Sequence, residues 1–346
     1  MIRLTSMLPL VLLLLVAVDP ASAQEVRRLP GGAVSLHNLA GEARLVAGRG
    51  DEVVVRLTRG GADGARPEIR VWEEAGRSVL AVVYPDDTIV YPGMGRGSRT
   101  TVRVTGEGLL GRDGRDRVTV RGSGRGLEAW MDLRVEVPAG TDVSLHLATG
   151  EARVDGVDAR LRIDTGSGDV QARDVAGSLD VDTGSGSVEV LGSQGDVRVD
   201  TGSGSVRLGD VRGREVRVDT GSGSVVGTGL RADEVEVDTG SGSIELDDVA
   251  APDVVLDTGS GSVQLRLLED VNRLLVDTGS GSVTVEGPRD LGAELELETG
   301  SGGIEVDFPV QLRTARRDEV LGTLGDGRGR IVIDSGSGGI VLRPRR

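Results

Sequence analysis

Nine acidic residues recur along this chain in one local setting. Asp164, Asp182, Asp200, Asp219, Asp238, Asp257, Asp277, Glu298 and Asp334 each open Asp-Thr-Gly-Ser-Gly or a close variant of it. Carboxylates at regular spacing are raw material for a hard-cation site, and calcium takes about six to eight oxygen ligands. The eight aspartates of this set are the candidate calcium ligands. The calcium β-rolls repeat a nonapeptide in which Asp follows the glycines. Here the Asp precedes them and comes once per much longer repeat. The competing reading is structural: each Asp accepts a hydrogen bond from an amide two residues on and so caps its own turn.

The other residue types with chemical potential say less. Thr165, Thr183, Thr201, Thr220, Thr239, Thr258, Thr278 and Thr299 recur beside the acids. One threonine per repeat makes no paired ice-binding surface, so hydroxyls turned into the corner to bond the backbone are expected. His37 and His146 are isolated in sequence and read as strand residues rather than catalysts. The repeated Ser-Gly has no accompanying histidine and resembles no nucleophile elbow. A polysaccharide-active enzyme would want aromatic sugar platforms, yet from Gly150 onward Phe308 is the sole aromatic residue. No catalytic or cofactor-binding residue is expected.

The elements that carry the acids follow from spacing. Successive acids lie 18, 18, 19, 19, 19, 20, 21 and 36 residues apart. A fixed period of this size marks a solenoid of stacked coils. Three and one residues before each acid stand aliphatics such as Val197 and Val199, and six after it another such as Val206. Polar residues alternate with them, as in two short strands with one face inward. Thr-Gly-Ser-Gly is then the corner between the strands, with glycine expected to supply unusual backbone angles. A further aliphatic recurs eleven residues after the acid, at Val175, Val211, Leu230, Val249 and Leu268, and reads as a short third side. The expected fold is all-β: a single-stranded parallel β-helix, right-handed by the crossover rule, of about ten coils of 18–20 residues.

The rest of the chain is read as additions to this stack. Residues 1–23 read as a signal peptide: Arg3, an apolar run from Leu8 to Val18, then Ala21-Ser22-Ala23, with cleavage between Ala23 and Gln24. Residues 24–57 alternate and read as a first, degenerate coil. Residues 58–134 hold both tryptophans and both tyrosines and read as an antiparallel β insertion capping the open end. Residues 135–346 are the solenoid, with an enlarged loop or hairpin at about 307–330. The tail Arg343-Pro344-Arg345-Arg346 reads as an edge blocker on a terminal strand.

A net charge of −15, with no lysine, argues against nucleic acid as a partner. The absence of cysteine excludes disulfides and thiolate metal sites. The mature chain holds no second apolar stretch long enough to span a bilayer.

Taken together, Pro30-Gly31-Gly32, Val137-Pro138-Ala139-Gly140 and the repeated Asp-Thr-Gly-Ser-Gly corners behind a leader resemble a bacterial family. These are the exported, glycine-rich β-helical domains of unknown function named as "putative adhesin" domains. The resemblance covers roughly residues 27–346. It implies an exported, periplasmic, surface or secreted protein of the cell envelope that acts as a non-catalytic binding module. The partner it implies is an envelope component, another surface protein or a glycan. The alternative is a spacer or a scaffold of the envelope-stress kind. It carries over no catalytic or binding residue.

Overall fold

The computed structural model describes residues 24–105, 107–110 and 116–345. Residues 1–23, read above as a signal peptide, lie outside these residues, and Gln24 opens the first described strand, Gln24–Pro30.

Alternation along the repeats produces two long sheets that share one interior. In one sheet the strands preceding each corner lie in parallel register. Leu161, Leu179, Val197, Val216, Val235, Val254 and Leu274 form one inward column of it. In the other sheet the strands after each corner do the same, with Val170, Val188, Val206, Val225, Ile244, Val263 and Val283 in line. All fourteen are buried. The fold is therefore all-β and solenoidal, and its β-branched interior suits a pleated surface packed on one face.

The third side is real but narrow. Single parallel bridges run through Asp158, Ala176, Gln194, Arg212, Arg231 and Ala250. The residue before each bridge points inward: Val157, Val175, Ser193, Val211, Leu230 and Val249 are buried. The next inward residue is Leu267 rather than Leu268, because a bulge after Leu246 pairs Val249 with Leu267. Just before this side the backbone enters the left-handed region at Asp174 (φ 52°), Gly192 (φ 72°), Asp210 (φ 51°), Gly229 (φ 70°) and Asp248 (φ 55°). Glycine and aspartate are among the residues that tolerate that region.

In the first coils the corner glycines Gly41, Gly150 and Gly168 take positive φ as expected (127°, 129° and 151°), but later corners use glycine for a different purpose. Gly186, Gly204, Gly223, Gly242 and Gly261 are not among the residues at positive φ. A Cβ on Gly204 would instead sit 1.9 Å from the carbonyl oxygen of Gly186 on the neighbouring coil. Glycine is required because stacked corners approach backbone to backbone.

Both ends of the stack are closed by strands outside the repeat. At the start, Ala33–Ala40 and Ala43–Ala47 form the first coil, in register with Thr141–Thr149 and Ala152–Asp155. Val53, Val55 and Leu57 do not belong to it. They lie in Glu52–Gly60, which runs antiparallel to Gln24–Pro30 and to Trp130–Val137. The capping segment is mixed rather than antiparallel. Arg77–Val83 adds in parallel to Ala33–Ala40 and pairs antiparallel with Glu68–Glu74. A separate small sheet holds Thr88–Val90 parallel to Asp116–Arg121 and to Leu127–Glu128, with Arg99–Val104 antiparallel at its edge.

At the far end, the residues read as an enlarged loop form the hairpin Val310–Ala315 and Glu319–Leu324, antiparallel to Ala293–Thr299. The tail is not an edge. Gly329–Ser335 lies between Arg273–Thr278 and Ala293–Thr299. Ile340–Pro344 lies between Val283–Gly287 and Ile304–Val306. The last coil in sequence is thus the second last in space.

Candidate functional site

Alternation within each strand sends the residue after an inward aliphatic outward, and parallel registry stacks these residues into a column. Asp164, Asp182, Asp200, Asp219, Asp238, Asp257 and Asp277 are register partners rung by rung. The column continues through Asp334 and Glu298 in their spatial order and ends on Glu319 of the hairpin. Parallel strands space such neighbours about 4.8 Å apart.

In the other direction the column reaches the two histidines. His37 pairs with His146, and His146 with Asp164. Far from being isolated, the two imidazoles stack face to face, with centroids 4.4 Å apart and planes 9° apart. His146 Nδ1 lies 3.3 Å from Asp164 Oδ2. His37 Nδ1 accepts from the Leu110 amide at 3.2 Å, and its Nε2 lies 2.9 Å from Ser35 Oγ. An Nδ1 that accepts leaves the proton on Nε2, so His37 donates to Ser35 and cannot act as its base. Burial, then the His146 charge, pulls the His37 pKa down to about 3, so this ring stays neutral. The sequence carried a signal for this placement. Each corner acid stands four residues before the second corner glycine, and so do His37 before Gly41 and His146 before Gly150.

The carboxylates act on one another. Burial, then Asp164 and Asp200 on the adjoining rungs, raises the Asp182 pKa above the usual carboxylate value. Burial, then Asp238 and Asp277, does the same for Asp257. The self-capping bond expected of each acid is absent among the described residues: no column aspartate accepts from the amide two residues on. Nor, among these residues, do three or more His, Asp or Glu side chains gather into a group able to hold a metal ion. A straight file presents only its nearest neighbours to any one point, which falls short of a calcium shell.

The threonines beneath the acids hold the corners together. All eight are buried, so they form no outer surface. Thr201 Oγ1 donates to Gly186 O at 3.3 Å, Thr239 to Gly223 O at 2.9 Å, Thr258 to Gly242 O at 2.8 Å and Thr278 to Gly261 O at 2.9 Å. Each bond ties one coil to the one before it.

Where the capping segment meets the solenoid there are two depressions. Val102, Arg103, Leu110, His146 and Asp164 line one of about 260 Å³ at the head of the column. Glu42, Tyr91, Met94, Arg99, Glu151 and Asp169 line a groove of about 550 Å³ beside the corners. Tyr91 packs against Trp130 at 5.8 Å. Burial, then Asp132, pushes its phenol pKa up to about 12.

The coils and their stacked columns define a β-solenoid with capped ends. Residues 191–343 match the family described as Toastrack DUF4097. No curated protein matches the chain. Two solved structures are similar to it. One is described as a "putative cell adhesion protein" from Clostridium sporogenes, 10% identical, with 93% of this chain and 99% of that one covered, at a TM-score of 0.24. The other is described as a "putative adhesin" from Bacteroides fragilis, 12% identical, with 94% and 100% covered, at a TM-score of 0.37. At these scores neither resemblance assigns a role.

Proposed function

We propose that this chain is an exported, non-catalytic rod of the cell envelope that binds an envelope component along its side. The observation that carries this reading is the uninterrupted outward column from Asp164 to Glu298, one carboxylate per rung. Threonines and glycines beneath it fix its spacing, so the row is rigid. A rigid, periodic row suits a partner that is itself repetitive, such as a surface polymer or the regular face of another surface protein. Closed ends leave the sides as the surface on offer. The groove beside Tyr91 and Arg99 is the second place where such a partner would be gripped.

The export element of the reading rests on the leader-like residues 1–23. No helix among the described residues is long and apolar enough to cross a membrane.

The test is retention of the purified mature chain on isolated envelope. Removing residues 58–134 is unsuitable, because Leu80, Val82, Tyr84 and Met131 belong to the common core. Point variants serve better: Asp200→Asn, Asp219→Asn and Asp238→Asn combined, and Arg99→Glu for the groove. Retention should fall at least severalfold with one of the two. If both bind as the wild type does, the side-binding reading fails and the spacer reading takes its place. Fractionation that finds the chain in the cytoplasm would remove the envelope role altogether.

A further inference from the structure

The two coils on either side of the last one are both complete before Gly325 is reached. Arg273–Thr278 with Val283–Gly287 forms one wall, and Ala293–Thr299 with Ile304–Val306 forms the other. Between them is a rung that the chain bypasses on first passage and fills only with its tail.

The rung recognises its occupant by several features at once. Backbone bonds run to both walls: Arg330 N to Asn272 O at 2.9 Å, Gly336 N to Thr278 O at 2.9 Å and Ile340 N to Gly303 O at 2.9 Å. The corner hydroxyls continue through the occupant. Ser335 Oγ donates to Gly281 O at 2.9 Å, and Thr299 Oγ1 donates to Gly338 O at 2.7 Å. Ile331, Ile333, Ile340 and Leu342 fill the interior and are fully buried. Outside, Arg330 bonds Glu296 at 2.9 Å and Arg343 bonds Glu286 at 2.6 Å.

The tether meets one wall only at its entry, where a Cβ on Gly292 would lie 2.2 Å from Asp326 Oδ1. The occupant joins the hairpin through Gly325-Asp326-Gly327-Arg328. Gly325 and Gly327 sit at φ 49° and 66°, and Gly325, Asp326 and Arg328 are exposed. Two glycines in an exposed connector let the following segment swing without disturbing either wall.

We infer that this rung is a strand-accepting site, and that its partner in trans is the tail, residues 329–345, of a second copy of this chain. Exchange changes only connectivity, because the trans contacts repeat the cis ones; swapping an identical element is a low-cost route to assembly. Reciprocal exchange gives a closed dimer, and one-way exchange gives a row of rods joined at one end. A short tether holds its segment at an effective concentration around the millimolar range. The closed monomer therefore dominates in dilute solution, and exchange is populated when chains fold at high concentration. The inference stands apart from the envelope-binding reading, since the tail places Asp334 in the acid column whichever copy supplies it, and exchange needs no envelope.

Leu275 and Val332 are outward register partners across the rung, and the chain has no cysteine of its own. One mature full-length chain carries Leu275→Cys and a second carries Val332→Cys. The two are unfolded, refolded together over a range of concentrations, and oxidised. A disulfide-linked heterodimer should appear and grow with refolding concentration. Replacing the second chain by one with Glu245→Cys, on the other sheet, measures chance collision. A heterodimer no more abundant than that background at every concentration overturns the proposal. Should either single variant fail to refold by circular dichroism, one chain carrying Thr284→Cys and Val341→Cys, register partners across the same rung on the other sheet, reports the same event. Its product should be internal at low concentration and intermolecular at high concentration. An internal product throughout overturns the proposal. So does efficient internal linkage of Leu275→Cys to Glu296→Cys, which requires the coils to stack in chain order.

Discussion

At the scale of single residues, the interior tolerates little that is polar. Ser193 occupies a third-side position that is aliphatic on the neighbouring coils, and its buried hydroxyl has no hydrogen-bond partner. An orphaned buried hydroxyl costs about 1–3 kcal/mol. Ser193→Val should therefore stabilise the chain by about 1 kcal/mol, read as a higher urea midpoint at unchanged slope; a lower midpoint would show that the site cannot take the extra methyl. The reverse experiment compares neighbours on one strand. Val206 is buried and Arg207 is exposed. Val206→Asp places an unpaired charge inside and should cost about 3 kcal/mol or more. Arg207→Asp should cost under about 1 kcal/mol. Equal losses would contradict the inward and outward assignment. Thr258→Val removes the bond to Gly242 O while keeping the shape, and should cost about 1–2 kcal/mol in the same assay.

At the scale of elements, the column turns registry into electrostatics. The folded-state pKa values of Asp182 and Asp257 are raised, so the folded state holds these protons more tightly than the unfolded chain does. Their contribution to stability is therefore best in acid and declines as pH rises from the ordinary carboxylate value through the raised one. His37 has the opposite dependence. Its folded pKa is lowered from 6.5 to about 3. Stability is lost through it as pH falls below 6.5, because only the unfolded chain readily takes the proton. Two variants separate these contributions in melts between pH 4 and 7. Asp182→Asn should gain on the wild type as pH rises, and His37→Gln should gain on it as pH falls. Parallel melting curves for a variant and the wild type would mean that its residue does not titrate differently on folding.

At the scale of the molecule, each coil contacts only its neighbours, so stability should be greatest where both neighbours are present. Amide exchange should be slowest in the middle coils, for example at Val216 and Val218, and fastest in the end strands Glu68–Glu74 and Val310–Ala315. The tail coil Gly329–Ser335 should exchange as slowly as an interior coil, although it lies close to the chain terminus. Rapid exchange there would mean that it does not sit between two walls.

Much of the solenoid was legible along the chain, because its information is local and repeated. Alternation about each acid, as at Val197, Val199 and Val206, states which side chains turn inward. The glycine-rich corner states where the strand ends, and the period states that coils stack in register. Those features depend on contacts between equivalent residues, so one repeat describes them all. Three things required the tertiary structure. The histidine stack depends on two coils separated by the whole capping segment. The close approach at Gly186 and Gly204 depends on the distance between backbones, which residue type does not reveal. The place of the last coil is the clearest case. Its residues fit the rung above Ala293–Thr299 and the rung below it equally well by pattern, since every coil carries nearly the same phrase. Repetition specifies what can stack on what; the tether and the hairpin, acting in three dimensions, decide the order.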